Sequence, residues 1–286
     1  MAGRLCYTIP MKVFVRVALG VFVLALAVHA DAYVLPARQI LTFMLERVVG
    51  GNTLVVSQKA VMYDSGLEGG MQEIQETLYF KYPGRFRSEM NAGGLRKVHV
   101  RGPDGVLVIM DDKIMGESEG PLDRFSAPFL HKRQAPLAQE LAELGIDLGT
   151  VTLGRFEDKV AFVIGARYPD ETVPQLWIEK DSFRPIRFIP GGRDGAPAGE
   201  IVYSDYRSVG KRGEYPARIL FYERGNLVRM NVMESLEVNV EVDDALFDVT
   251  SLRNLYEPVN PSEPSEPASE LDEVKKTIRD FRKIYE

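Results

Sequence analysis

Cysteine is almost missing from this chain: among 286 residues the only one is Cys6. It lies ahead of the apolar run at residues 17–28 and not at its end, so the chain lacks the lipid-modified cysteine of a bacterial lipoprotein. Nothing downstream can form a disulfide or act as a thiol, and stability has to come from a packed core. Histidine is nearly as scarce. Only His99 and His131 follow the N-terminal segment, and neither has a metal-type partner at suitable spacing, so surface or packing roles are expected for both. A basic excess is missing too. With 35 Lys and Arg against 41 Asp and Glu, the net charge of −6 excludes the phosphate-neutralising surface that nucleic-acid binding needs. Nucleophile-elbow and phosphate-loop patterns are absent, and the glycine pairs at Gly50, Gly69, Gly93 and Gly191 mark turns. After Tyr33 no segment is long and apolar enough to span a bilayer.

The N-terminus, by contrast, carries a clear signal. Lys12 and Arg16 form a positive region, residues 17–28 are apolar throughout, and Ala30-Asp31-Ala32 supplies a small-x-small pattern. The run is shorter than the roughly 20 residues a membrane-spanning helix requires. A cleavable signal peptide over residues 1–32 is therefore expected, cut between Ala32 and Tyr33, with export to the periplasm. Met11 could open a conventional signal by itself, which would place the true start downstream of Met1. About 250 residues then remain, enough for one sizeable core or for a core plus an appendage.

In that remainder the hydrophobic period shows two kinds of element. Pro36, then Ile40, Leu41, Met44, Leu45 and Val48, then Gly50-Gly51, predict an amphipathic first helix. From Thr53 the period falls to two. Ile74, Leu78, Phe80 and Tyr82 share one face, and Gln75, Thr77, Tyr79 and Lys81 the other. Turns at Pro83-Gly84, Gly93-Gly94 and residues 103–105 separate strands at 85–90, 95–100 and 106–110. Residues 121–145 interrupt them with two short helices, and strands resume at 151–156, 160–166, 175–180, 185–189, 200–206, 217–223 and 227–242. The domain closes near Phe247. Ten or more antiparallel strands with two helical elements predict a large curved sheet wrapped around helices, an α+β but mainly antiparallel β fold spanning residues 33–255. Residues 256–269 read as a Pro/Ser/Glu-rich linker. Residues 270–286 read as an amphipathic C-terminal helix with Leu271, Val274, Ile278, Phe281 and Tyr285 on one stripe.

Paired acids at Asp111-Asp112 and Asp243-Asp244 sit at strand ends. Neighbours in a strand point to opposite faces, so solvated turns fit better than an acid–base pair. Carboxylates converging from distant strands stay open as an enzymatic alternative. The more prominent set is apolar: Leu78, Phe80, Phe86, Met90, Val108, Met110, Phe162, Trp177, Ile178, Phe188, Tyr203, Phe221, Met230 and Met233. Most of these serve equally well as sheet core. A curved sheet only partly filled by helices would leave some of them lining a lipid cavity, where each buried acyl methylene contributes about 0.8 kcal/mol.

The order of elements, together with several local motifs, resembles the LolA/LolB-like family of periplasmic lipoprotein carriers. The motifs are Phe80-Lys81-Tyr82-Pro83 followed by Phe86, the Asp104-Gly105 turn, Ala127-Pro128-Phe129-Leu130, and Leu176-Trp177-Ile178-Glu179-Lys180-Asp181 before Pro185. The likeness covers about residues 35–249. It implies an unclosed antiparallel barrel with a helical lid over a hydrophobic cavity, and no enzymatic activity, cofactor or metal. The cavity would be lined by Leu78, Phe80, Phe86, Met90, Val108, Met110, Phe129, Trp177, Ile178, Phe188, Tyr203 and Phe221. Family carriers often hold the lid with an Arg just before the strand-end Pro. Here that position is Tyr82, so Tyr82, Arg85 and Arg87 are the candidate lid contacts. The implied partners are lipoprotein acyl chains or lipid, transfer partners at the inner and outer membranes, and a protein partner for the C-terminal helix. A lipid- or partner-binding envelope sensor of the same fold is the alternative function.

Overall fold

The computed structural model describes residues 34–259, apart from residues 49, 64–70, 93, 193–194 and 211–212. The expected signal peptide with its Ala32/Tyr33 cut, most of the linker, and the C-terminal helix lie outside the described residues. Helix α1 (Ala37–Val48) forms where predicted, with Ile40, Leu41, Met44, Leu45 and Val48 buried along one stripe. Pro36 opens it, its carbonyl accepting from the Gln39 and Ile40 amides at 2.9 and 3.1 Å.

Among the described residues, fourteen strands form one unclosed sheet in the order β14-β6-β5-β4-β3-β2-β1-β13-β12-β11-β10-β9-β8-β7. Strands β1 (Thr53–Tyr63), β2 (Met71–Lys81), β3 (Arg85–Ala92), β4 (Leu95–Gly102), β5 (Gly105–Met110) and β6 (Lys113–Gly116) make one meander. A second comprises β7 (Val151–Phe156), β8 (Lys159–Ile164), β9 (Gln175–Glu179), β10 (Pro185–Ile189), β11 (Glu200–Val209), β12 (Gly213–Glu223) and β13 (Asn226–Val238). Antiparallel pairing of β1 with β13 joins them. The expected fold class is thus the one the chain adopts. No helix among the described residues is long and apolar enough to cross a membrane.

This topology fixes where the middle of the chain must go. Strand β6 ends near one edge of the sheet and β7 begins at the other, so the connection between them has to cross a face. It does so as a 3-10 helix (Leu122–Phe129) followed by α2 (Gln134–Glu143), the two short helices predicted for residues 121–145. Helix α1 packs on α2 and β12. We call this helix-covered side of the sheet concave.

Three features differ from the sequence expectation. The strand predicted over 227–242 stops at Val238, because Asn239 takes a left-handed φ of 58° and turns its side chain to accept from the Asn52 amide at 2.7 Å. Asp111 and Asp112 are indeed a turn, with φ of 47° and 60°, but they close a two-residue hairpin onto β6, which is too short to read as a strand. Beyond β13, a second 3-10 turn (Asp244–Phe247) and α3 (Val249–Leu255) cover the convex side of β4 and β5. There Val98, Val100, Leu107, Ile109, Ile114 and Val249 form a second core. β14 (Glu257–Pro258), which opens the stretch read as linker, then lies parallel to β6. The sheet is therefore buried on both faces along β4 and β5.

Candidate functional site

The insert fills the concave face from its own side chains upward. A 3-10 helix has three residues per turn, which puts Leu122 and Phe125 in one line. Leu122, Phe125, Ala127, Phe129 and Leu130 are each 1% exposed. The Phe125 ring stands 5.9 Å from Phe86 and 5.5 Å from Phe221, both edge-on. Phe129 lies 5.4 Å from both Tyr203 and Tyr215, and Phe80 bridges Phe86 and Tyr215 at 5.0 and 5.9 Å. Each ring buried this way contributes about 1.5–3 kcal/mol. Polar ties are sparser. The Tyr203 hydroxyl donates to the Phe125 carbonyl at 2.9 Å, the Gly84 amide donates to the Leu130 carbonyl at 2.9 Å, and Arg124 donates to the Gly191 carbonyl. Burial pushes the Tyr203 and Tyr215 phenols well above their ordinary pKa, so both stay neutral.

Beside the rings lies a buried polar web that sequence reasoning missed. Glu76 on β2 accepts from Gln58 Nε2 at 2.6 Å, Ser88 Oγ at 2.5 Å and Asn231 Nδ2 at 3.2 Å, and pairs with Arg229. Arg229 is fully buried, donates to Asn231 at 2.7 Å, and lies over the faces of Phe221 and Phe125 at 4.8 and 5.7 Å. Next to it, the β4 row of Lys97, His99 and Arg101 meets carboxylates of the crossing connection. Lys97 is 3.3 Å from Asp123, His99 3.2 Å from Glu119, and Arg101 3.9 Å from Glu119. Glu140 on α2 binds both Arg101 and His131. Burial alone would raise the Asp123 and Glu119 pKa values. The charges of Lys97, His99 and Arg229 around Asp123, and of His99 and Arg101 around Glu119, outweigh it and hold both below the usual carboxylate range. The signal was present in the sequence: Lys97-x-His99-x-Arg101 alternates perfectly. It reads as a solvated face because Val98 and Val100 on the other face look like the core.

The structure distributes the predicted cavity residues over four places. Leu78, Phe80, Phe86, Met90, Tyr203 and Phe221 share the concave face, with Val108 and Met110 half-buried beside them on β5. Phe129 belongs to the insert itself. Phe188, Ile178 and Phe162 lie farther along, where Phe162 stacks on Phe183 at 6.0 Å and Phe183 meets Phe43 of α1 at 5.0 Å. Trp177 projects to the opposite face from its neighbour Ile178, as strand alternation requires. There it packs with Ala161 and Val163 under the Arg187 guanidinium, 5.2 Å from its ring.

Of the candidate lid contacts, the Tyr82 ring is capped by Lys132 of the insert at 5.2 Å. Arg85 and Arg87 project to the convex side instead. Arg85 pairs with Asp244, while Arg87 bonds Glu89 at 2.6 Å and the Leu246 carbonyl at 2.9 Å. His99 is buried and His131 half-buried, each beside a carboxylate (Glu119 and Glu140), and Asp244 receives Lys81 at 2.8 Å. Among the described residues, no three of His, Cys, Asp and Glu are placed to hold a metal.

At the far end of the concave face, Ile74, Met90, Ala92, Leu95, Arg96, Lys97 and Met110 line a cavity of about 10 Å³. That is roughly one water's worth, whereas small-molecule sites are typically about 300–1,000 Å³. With the insert in place, the rings of Phe125 and Phe129 occupy the middle of the hollow, against Phe86, Phe221 and Tyr203.

An unclosed, mainly antiparallel half-barrel, its hollow plugged by a helical crossover, is the class these features define. No protein-family model matches the sequence, and no curated protein does either. Solved structures do resemble it in shape. A protein from Vibrio parahaemolyticus described as an outer membrane lipoprotein-sorting domain is 9% identical, with 75% of this chain and 97% of that one aligned at a TM-score of 0.47. A LolA superfamily protein from Nitrosomonas europaea is 12% identical over 76% and 100% of the two chains, at 0.45. A DUF1329 family protein from Desulfovibrio piger is 12% identical over 76% and 99%, at 0.48.

Proposed function

We propose that this is a periplasmic carrier. Its half-barrel would take up the acyl chains of a lipoprotein or lipid when the insert lifts, and pass them toward the outer membrane. The observation that carries this reading is the plug. Leu122, Phe125, Ala127, Phe129 and Leu130 bury an apolar stripe in the hollow of the sheet, where an acyl chain would find equivalent surface. Each methylene transferred there contributes about 0.8 kcal/mol. A chain of ordinary length thus competes with a few phenyl rings, and binding and release can both be reversible. No covalent step or cofactor is needed. Native mass measurement on protein purified from a periplasm tests the reading: an acylated species should be present and be removed by delipidation. Consistent absence of one, with no uptake of a fluorescent acyl probe, would refute it.

A second reading, an envelope sensor that binds a partner through its C-terminal segment, is favoured by one observation. The chain is led along the free edge of β6 by β14, and the Val259 amide donates to the Ile114 carbonyl at 3.0 Å. Truncation after Val259 keeps that strand. A carrier so truncated still binds lipid, whereas a docking protein loses its partner.

A further inference from the structure

An interior meant for acyl chains alone has no use for buried ion pairs, since desolvating two charges costs about as much as their attraction returns. Yet the β4 row brings Lys97, His99 and Arg101 into the hollow. The acids they meet there, Asp123 at 3.3 Å from Lys97, Glu119 at 3.2 Å from His99, and Glu140 on Arg101, all belong to the crossing connection. When that connection lifts, its carboxylates leave together. Arg229 acts on Asp123 too, but the acid it pairs with directly, Glu76, belongs to the sheet and stays.

Two further observations indicate that the fit between insert and row is incomplete. His99 Nε2 and Glu119 Oε1 are at ion-pair distance but not aligned to hydrogen-bond, although His99 is only 2% exposed. Among the described residues, the buried hydroxyls of Ser126 on the insert and of Tyr215, whose ring meets Phe129, also find no hydrogen-bond partner. In addition, Lys97 sits at a chemical boundary. It meets Asp123, and it also lines the small apolar cavity with Ile74, Met90 and Met110. Methionine suits varied chain shapes.

We infer that the insert carboxylates stand in for an anionic head group. The cargo is a single-chain anionic amphiphile whose carboxylate or phosphate sits on Lys97 and Arg101 and whose chain runs over the methionine-lined end of the hollow. This rests on the carrier reading above and names the chemical class of its ligand. Binding exchanges one set of anions for another on the same cations, so the buried positive charge is never left uncompensated. A neutral amphiphile offers no such exchange.

The test is titration of the full mature protein with palmitate, 1-palmitoyl-glycerol-3-phosphate and neutral 1-palmitoyl-glycerol, each competing against a fluorescent acyl probe. At least one of the two anions should bind tenfold or more tighter than the neutral compound, and the tighter anion identifies the head group as carboxylate or phosphate. Lys97→Met with Arg101→Met should bring anion and neutral affinities together while neutral binding persists, whereas Lys97→Arg keeps the preference. Asp123→Asn should raise anion affinity several-fold more than neutral affinity, which decides the matter even if the double variant does not fold. Equal binding of all three lipids by the wild type, or an unchanged preference in the double variant, overturns the inference and leaves the carrier reading intact. Binding of none of the three overturns both.

Discussion

At the scale of single residues, the interior is held by charges whose partners are all close by. Removing one member strands the other. Arg229→Met leaves Glu76 buried opposite Gln58, Ser88 and Asn231 with no guanidinium, and should cost about 3–5 kcal/mol in urea denaturation. Pairing it with Glu76→Gln should recover part of that loss, because the unpaired charge goes while a carbonyl oxygen stays to accept from the donors around it. The carboxylates give a pH dependence whose sign is fixed. Asp123 and Glu119 are held below their ordinary values, so the stabilisation they give to closure is complete above the usual carboxylate range and is lost as pH falls through the lowered values. Protection of residues 122–143 against hydrogen exchange, taken relative to the intrinsic rate at each pH, should fall on acidification below about pH 4, ahead of that in β1 and β2. Uniform loss of protection across the sheet would contradict this. These residues were visible in the sequence, but their location was not. Alternation by two separates the faces of β4 without saying which faces the hollow, and here α3 makes the valine face a core as well.

At the scale of elements, close approach is the recurrent constraint. A Cβ on Gly102 would stand 2.1 Å from the Phe247 carbonyl oxygen, so Gly102→Ala should force the turn at residues 244–247 away from β4 and lower stability by about 1–3 kcal/mol. The midpoint of urea unfolding checks this. Within the insert, Phe129→Ala removes contacts to Tyr203 and Tyr215 that hold the plug. Global stability should fall by about 3–5 kcal/mol if this ring is ordinary core. On the carrier reading a smaller loss is expected, accompanied by tighter binding of an acyl probe, since the plug competes less well. The longer elements were legible from period alone: α1, β2, and the helix pair at 121–145. The short ones were not, since β6, α3 and β14 offer four, seven and two residues respectively, and their formation depends on surfaces assembled from distant strands.

At the scale of the whole molecule, one topological fact organises the rest. Because β1 and β13 join two meanders side by side, the chain must return from β6 to β7 across the sheet, and that return is the cover of the hollow. The curved sheet with covering helices could be foreseen from strand count and the helical interruption. The plug at its centre could not, because packing of Phe125 and Phe129 against Phe86, Phe221 and Tyr203 is a matter of geometry between segments far apart in sequence. Where its own crossover occupies the hollow, a ligand enters by exchange with Phe125 and Phe129, so ligand uptake and loosening of residues 122–143 should be coupled. The most direct measurement is hydrogen exchange of the delipidated protein with and without a saturating acyl ligand. Deprotection confined to the insert, with β1–β4 protected as before or better, is the predicted result. Binding that leaves the insert as protected as in the free protein would contradict the proposed exchange.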